Sequence, residues 1–198
     1  MNAKAVNDAR RKMLGERAVL VAEQFAFPPT EWEANTLAEV LSLPRVHVMR
    51  PPREELLAAG MVERDCHRNC SVQVTNDPDR SCRHVVGWLI HGSDLILHSV
   101  VEWSGYWLCL TPQLVAAPSE FQFIPDPLIE WVETRIGMEA FRGGVAVPHA
   151  LRKYPEHHLL LRDKFHELLD SGISAYDARQ IVDTTLGEEL RKNERIIA

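Results

Sequence analysis

Residue types able to do covalent chemistry stand in the middle of the chain. Asp65-Cys66-His67-Arg68-Asn69-Cys70 carries two thiols, and His98 follows inside the apolar run Leu95-Ile96-Leu97-His98-Ser99-Val100-Val101. A cysteine attacks as its thiolate, which a helix N-terminus, a cation or an adjacent base stabilises. An imidazole titrates near neutral pH, so it can take the proton that a thiol loses and pass it to a leaving group. Cys66 is the candidate nucleophile and His98 the candidate base. If the segment after Asp65 is helical, Cys66, Asn69 and Cys70 share one face, and Cys66 sits at the positive end of the macrodipole. Backbone N–H groups there, with His67 or Asn69, would face a developing oxyanion. Trp88 and Ser99 are grouped with His67 as support for the site.

A second constellation competes. Cys66, Cys70, Cys82 and His84 supply four N/S ligands, the set that tetrahedral zinc takes. The Cys-x3-Cys spacing departs from the usual Cys-x2-Cys knuckle, and a metal-bound Cys66 would be occupied. His149, His157, His158 and His166 form a looser group with no carboxylate ligand pattern, and a solvated face is expected there.

These residues need elements to carry them. Residues 4–25 read as a helix from their apolar recurrence. Thr30 with Glu33 resembles a capping box for a helix over 31–41, closed by Pro44. Leu43 to Met49 reads as extended. Pro51-Pro52 opens a short helix stopped at Gly60. Residues 85–90, 95–103 and 106–111 read as three strands. Turns at Gly92-Ser93-Asp94 and Ser104-Gly105 join them into an antiparallel meander that Pro112 stops. In that meander Gly87 reads as a point of close approach, and Trp88 as a core residue whose indole N–H needs an acceptor. Helices are expected to resume over 128–136, ended by Gly137, with Gly143-Gly144 and Pro148 as breakers. Further helices are expected over 159–169 and from a Ser174 cap through Leu190. Trp103, Tyr106 and Trp107 flank the second turn, with packing against helices expected. The fold class is α+β: N-terminal helices, a short antiparallel sheet of about three or more strands, and C-terminal helices. One domain is expected over 1–198, with 62–125 as its helix-plus-sheet core and 128–198 as a helical part.

The order of a helix-borne cysteine, a strand, a strand-borne histidine and a further strand resembles the core of the papain-like and transglutaminase-like cysteine enzymes. Cys66-His67-x-Asn69, Gly87-Trp88, His98-Ser99-Val100-Val101 and Thr111-Pro112 look more closely like a little-characterised bacterial and phage family with that series. The resemblance covers about residues 62–125. It implies Cys66 as nucleophile and His98 as general base. It also implies an orienting Asp or Asn on the strand after the histidine. Cys109-Leu110 stand there instead, so Asn69, Glu102 and Asp126 are the remaining candidates for orienter.

Composition bounds the rest. Hydrophobic residues make up 45% and charged residues 25% of 198 residues, enough for a packed core. A net charge of −6 argues against a broad nucleic-acid face. The first residues lack the apolar core of a signal peptide, and no apolar run is long enough to span a bilayer, so a cytoplasmic protein is expected. Four cysteines are then read as packing, ligation or catalysis rather than disulfides. The leading expectation is a cysteine-dependent hydrolase or acyltransferase that needs no cofactor. Its substrate would be an amide, ester or thioester in a small molecule or a protein. The alternatives are a zinc-stabilised interaction module, or a binding or adaptor protein that keeps the scaffold without the chemistry.

Overall fold

The computed structural model describes residues 3–113, 117–135 and 137–197. In chain order the elements are α1 (Ala3–Phe25), α2 (Glu31–Leu41), β1 (Val46–Met49), α3 (Arg53–Ala58), α4 (Cys66–Thr75), β2 (Cys82–His91), β3 (Asp94–Trp103) and β4 (Tyr106–Leu108). There follow β5 (Glu120–Pro125), β6 (Ile129–Thr134), β7 (Gly137–Arg142), β8 (Val145–Ala146), β9 (Ala150–Arg152), α5 (Pro155–Asp170), α6 (Ala175–Thr184) and α7 (Leu186–Asn193). Helices at both ends and a sheet region between them make the fold α+β. The chain divides into two compact units, Met1–Ala34 with Arg152–Ala198, and Asn35–Leu151. No helix among the described residues is long and apolar enough to cross a membrane.

The helical unit packs α1, α5 and α6 through Ala18, Phe165, Ala178 and Val182. Its buried polar centre is Arg152, whose guanidinium meets Glu33 at 2.8 Å and the Phe25 and Phe27 carbonyls at 2.7 Å. Thr30 caps α2 as expected, accepting the Glu33 N–H at 3.0 Å, but the Glu33 carboxylate turns to Arg152 rather than back to the cap. The Ser174 hydroxyl accepts the Asp177 N–H and caps α6. The single helix expected through Leu190 is interrupted at Thr185, between α6 and α7.

The other unit holds the sheet. Six strands run in the order β2-β5-β1-β4-β3-β9, and β3 pairs with β2 as well. Pairing therefore closes on itself through β2, β5, β1, β4 and β3, a small barrel with few free edges. The meander β2-β3-β4 is present, with both turns where glycine and aspartate placed them. The β1–β4 contact is parallel, which local patterning could not announce. Side chains alternate between two faces. Val48, Val100, Cys109 and Phe123 fill one cluster, while Val101 and Leu110 meet Leu56 and Cys70 of the helices in another.

The helix expected over 128–136 is a strand; Ile136 lies outside the described residues. Residues 129–142 form the β6–β7 hairpin, with Trp131 opposite Ala140 and Thr134 opposite Gly137. Trp131, Val132 and Thr134 favour a pleated surface, and Gly137 supplies a φ of 126° at the bend. Gly143 and Gly144 both have positive φ and turn β7 into β8, so they join strands rather than break helices. The helical C-terminal part accordingly begins at Pro155 instead of Leu128.

Gly87 stands opposite His98 on β3 and Pro125 on β5. A Cβ there would overlap the Ile124 carbonyl oxygen and lie 2.9 Å from the Pro125 Cα, and backbone cannot move aside as a side chain can. Gly87→Ala should therefore destabilise the sheet unit by about 2–3 kcal/mol. Urea unfolding followed by tryptophan fluorescence checks this, and an unchanged midpoint would contradict the close packing of β2 on β5.

Candidate active site

The site begins where the β3–β4 ladder stops. Strand pairing was expected to continue to Thr111, but β4 ends at Leu108, its last residue paired to β3, opposite Val101. Beyond it the chain leans to β1, with the Cys109 N–H donating to the Met49 carbonyl at 2.8 Å. Further along β3, the Leu97 N–H donates to the His149 carbonyl at 3.0 Å. N–H groups on one edge of an antiparallel strand recur at every second residue, so Ser99 lies in the gap between these two partners.

The first turn of α4 fills that gap. Asn69 is buried, and its amide accepts the Val62 N–H at 2.9 Å and donates to the Val62 carbonyl at 2.7 Å and the Leu110 carbonyl at 3.0 Å. Cys70 packs beneath among Leu56, Val101 and Leu110. These contacts bring Cys66, at the start of α4, against β3 with its thiol facing His98 and Ser99. Burial alone would push the Cys66 thiol up. The His98 imidazole, by hydrogen bonding and by charge, and the Ser99 N–H outweigh it and hold the thiol below its ordinary value. Cys70 and Cys82 shift the other way: burial and neighbouring thiols raise Cys70, and burial and Asp77 raise Cys82. The buried His98 ring makes its own contact to Cys109, Nε2 to Sγ at 3.3 Å, and lies edge-on to Phe121 and Phe123.

The structure brings Cys66 and His98 together and places several of the other sequence-predicted residues elsewhere. The Asn69 amide is fully engaged with backbone, so it holds the wedge and is not an orienter or an oxyanion donor. Trp88 is buried with its indole N–H on Asp126 at 2.9 Å, the acceptor it was expected to need, and does not reach the thiol. Asp126 also accepts from Arg142 at 2.9 Å, and Glu102 receives the Gly105 N–H and Arg83, so neither orients His98. Ser99 contributes its backbone N–H, while its buried hydroxyl has no protein partner. Cys109 and Arg50 were missed as site residues. Arg50 Nε donates to Cys109 Sγ at 3.3 Å, and Arg50 lines a cleft of about 380 Å³ with Arg53, Leu56, Gln113, Pro118 and Ser119.

His67 points elsewhere. Its ring packs tilted against His84 at 4.5 Å and Trp131 at 3.9 Å between centroids. Its Nδ1, His84 Nε2 and Trp131 Nε1 are all buried without a protein partner. Among the described residues no three His, Cys, Asp or Glu side chains form a group that could hold a metal ion. Of the looser histidines, His157 bonds Glu194 at 2.9 Å and His166 pairs with Glu23. Trp103 and Tyr106 remain 49% and 66% exposed at the hairpin tip instead of packing on helices. No family profile, curated protein or solved structure matches this chain.

Burial, with His67 beside it, pushes His84 down to about 4, and burial lowers His67 too, against the opposing pull of Asp65. An unfolded histidine binds its proton near pH 6.5. The unfolded chain thus takes up protons first on acidification, and folded stability should fall as pH drops from about 6.5 through 4. His84→Gln should flatten that slope in urea midpoints measured across the range. An identical slope in the variant would contradict the neutral, half-buried His84.

Proposed function

We propose that this protein is a cysteine-dependent hydrolase or acyltransferase acting on an amide, ester or thioester, with Cys66 as nucleophile and His98 as base. The observation that carries the reading is one thiol held below its ordinary value at a helix start, facing a buried imidazole, while Cys70 and Cys82 are driven the opposite way. The two side chains come from α4 and β3, a helix-borne cysteine followed by a strand-borne histidine, which supports this reading.

The chemistry follows from the placement. His98 takes the Cys66 proton, and the sulfur forms a bond to the carbonyl carbon. The first N–H groups of α4 have no helical partner, and we assign them to the negative charge that develops on the carbonyl oxygen. Collapse of the tetrahedral species breaks the bond to the leaving group, which receives the proton from the imidazolium. Water or an acceptor nucleophile, deprotonated by His98, then attacks the thioester and returns Cys66 as thiol.

Iodoacetamide labelling at neutral pH, read by peptide mass spectrometry, tests the pair without a known substrate. Cys66 should label first and Cys66→Ala should abolish that label with the fold intact. His98→Ala should slow labelling at neutral pH by about tenfold, the effect of raising a thiol by about one pKa unit. No label at Cys66, or equal labelling of Cys82, would defeat the proposal.

A further inference from the structure

We infer that Cys109, anchored by Arg50, is the positioning residue of the His98 ring, standing where a carboxylate or amide was sought. The inference rests on the Cys66–His98 reading and deepens it. Cys109 follows the end of β4, is fully buried, and clusters with Val100, which shares a face of β3 with His98. Its sulfur meets His98 Nε2 at 3.3 Å and accepts from Arg50 Nε at 3.3 Å. Arg50 is itself fixed. Its backbone N–H donates to the Ser119 carbonyl at 2.6 Å, its side chain donates to the Pro118 carbonyl at 3.0 Å, and its guanidinium lies 4.7 Å from the Phe121 ring centre.

An imidazole left alone rotates about its bond to Cβ, and a wandering ring stabilises a thiolate poorly. Here the backbone of Cys109 is tied to Met49, its sulfur is held by Arg50, and the two phenylalanine edges confine the ring plane. Contact with that sulfur keeps His98 turned toward Cys66. The groups facing the Cys66 thiol are His98 and the Ser99 N–H from β3, Cys109 from the segment after β4, and Cys70 from its own helix, with Arg50 behind Cys109. Cys109 also acts on Cys66 directly, and that influence raises the thiol. The two roles therefore carry opposite signs, and deletion of the sulfur separates them.

The experiment is the pH profile of Cys66 alkylation by iodoacetamide in the full chain, for wild type, Cys109→Ala, Cys109→Ser and Arg50→Gln. Circular dichroism and urea unfolding establish which variants are folded. Cys109→Ala should move the profile to higher pH, slowing labelling at neutral pH by about tenfold. Cys109→Ser, whose hydroxyl can meet both Arg50 and His98, should restore most of the rate. Arg50→Gln should shift the profile the same way as Cys109→Ala, which keeps the test open should the alanine variant not fold. A folded Cys109→Ala whose profile stays in place or moves to lower pH overturns the positioning role while leaving the Cys66–His98 pair standing. Absence of wild-type labelling at Cys66 removes both.

Discussion

The site depends on backbone groups that a strand ladder leaves behind. Where β4 parts from β3 after Leu108, the Leu110 carbonyl and the Ser99 N–H lose the partners that a longer hairpin would give them. Buried backbone groups must be satisfied, and here the first turn of α4 satisfies them. Asn69 supplies the donor to Leu110 and ties down Val62, while the Cys66 sulfur takes the place beside Ser99. The same wedge that closes the fold carries the thiol to the imidazole. Packing and the proposed chemistry therefore rest on one arrangement, and the helix cannot slide without exposing both a polar gap and Cys70.

Three of the cysteines show how environment alone sorts one residue type. Cys70, one turn after Cys66, is enclosed by Leu56, Val101 and Leu110, where a charged sulfur would have no compensating group. Cys82 has the Asp77 carboxylate close by, which opposes a second negative charge. Cys66 is also substantially buried, yet it faces an imidazole, an N–H and the start of a helix. Burial raises all three, and only at Cys66 do opposing interactions outweigh it. The buried Trp88–Asp126–Arg142 network lies apart from this chemistry and binds β2 to the β6–β7 hairpin.

What could be read in advance follows the range of the interactions. Gly92, Ser104 and Gly105 act over neighbouring residues, so the β2-β3-β4 meander was legible from turn chemistry and alternation. Cys66 and His98 were legible because their types are uncommon in those contexts and the pairing of a helix start with a strand is simple. The parallel β1–β4 contact was not, since nothing in Val46–Met49 says which strand it meets. The short apolar run over 128–136 fits both a helical and a strand period, and within Ile129–Thr134 the residues Trp131, Val132 and Thr134 decide for the strand. Arg50 and Cys109 are far apart in sequence, and their meeting arises only when β1 brings Met49 beside the end of β4. A search for an acid before Thr111 therefore passed over the thiol that occupies the place.

Where α4 meets β3, Cys66 should carry negative charge more readily than an ordinary thiol. Thiolate ultraviolet absorbance, titrated in wild type and in Cys66→Ser and taken as a difference, reads that charge at the sulfur itself. The expected transition lies below the range of a free thiol and moves back into that range when the protein is unfolded in urea. A transition at or above the free-thiol range in the folded protein would contradict it.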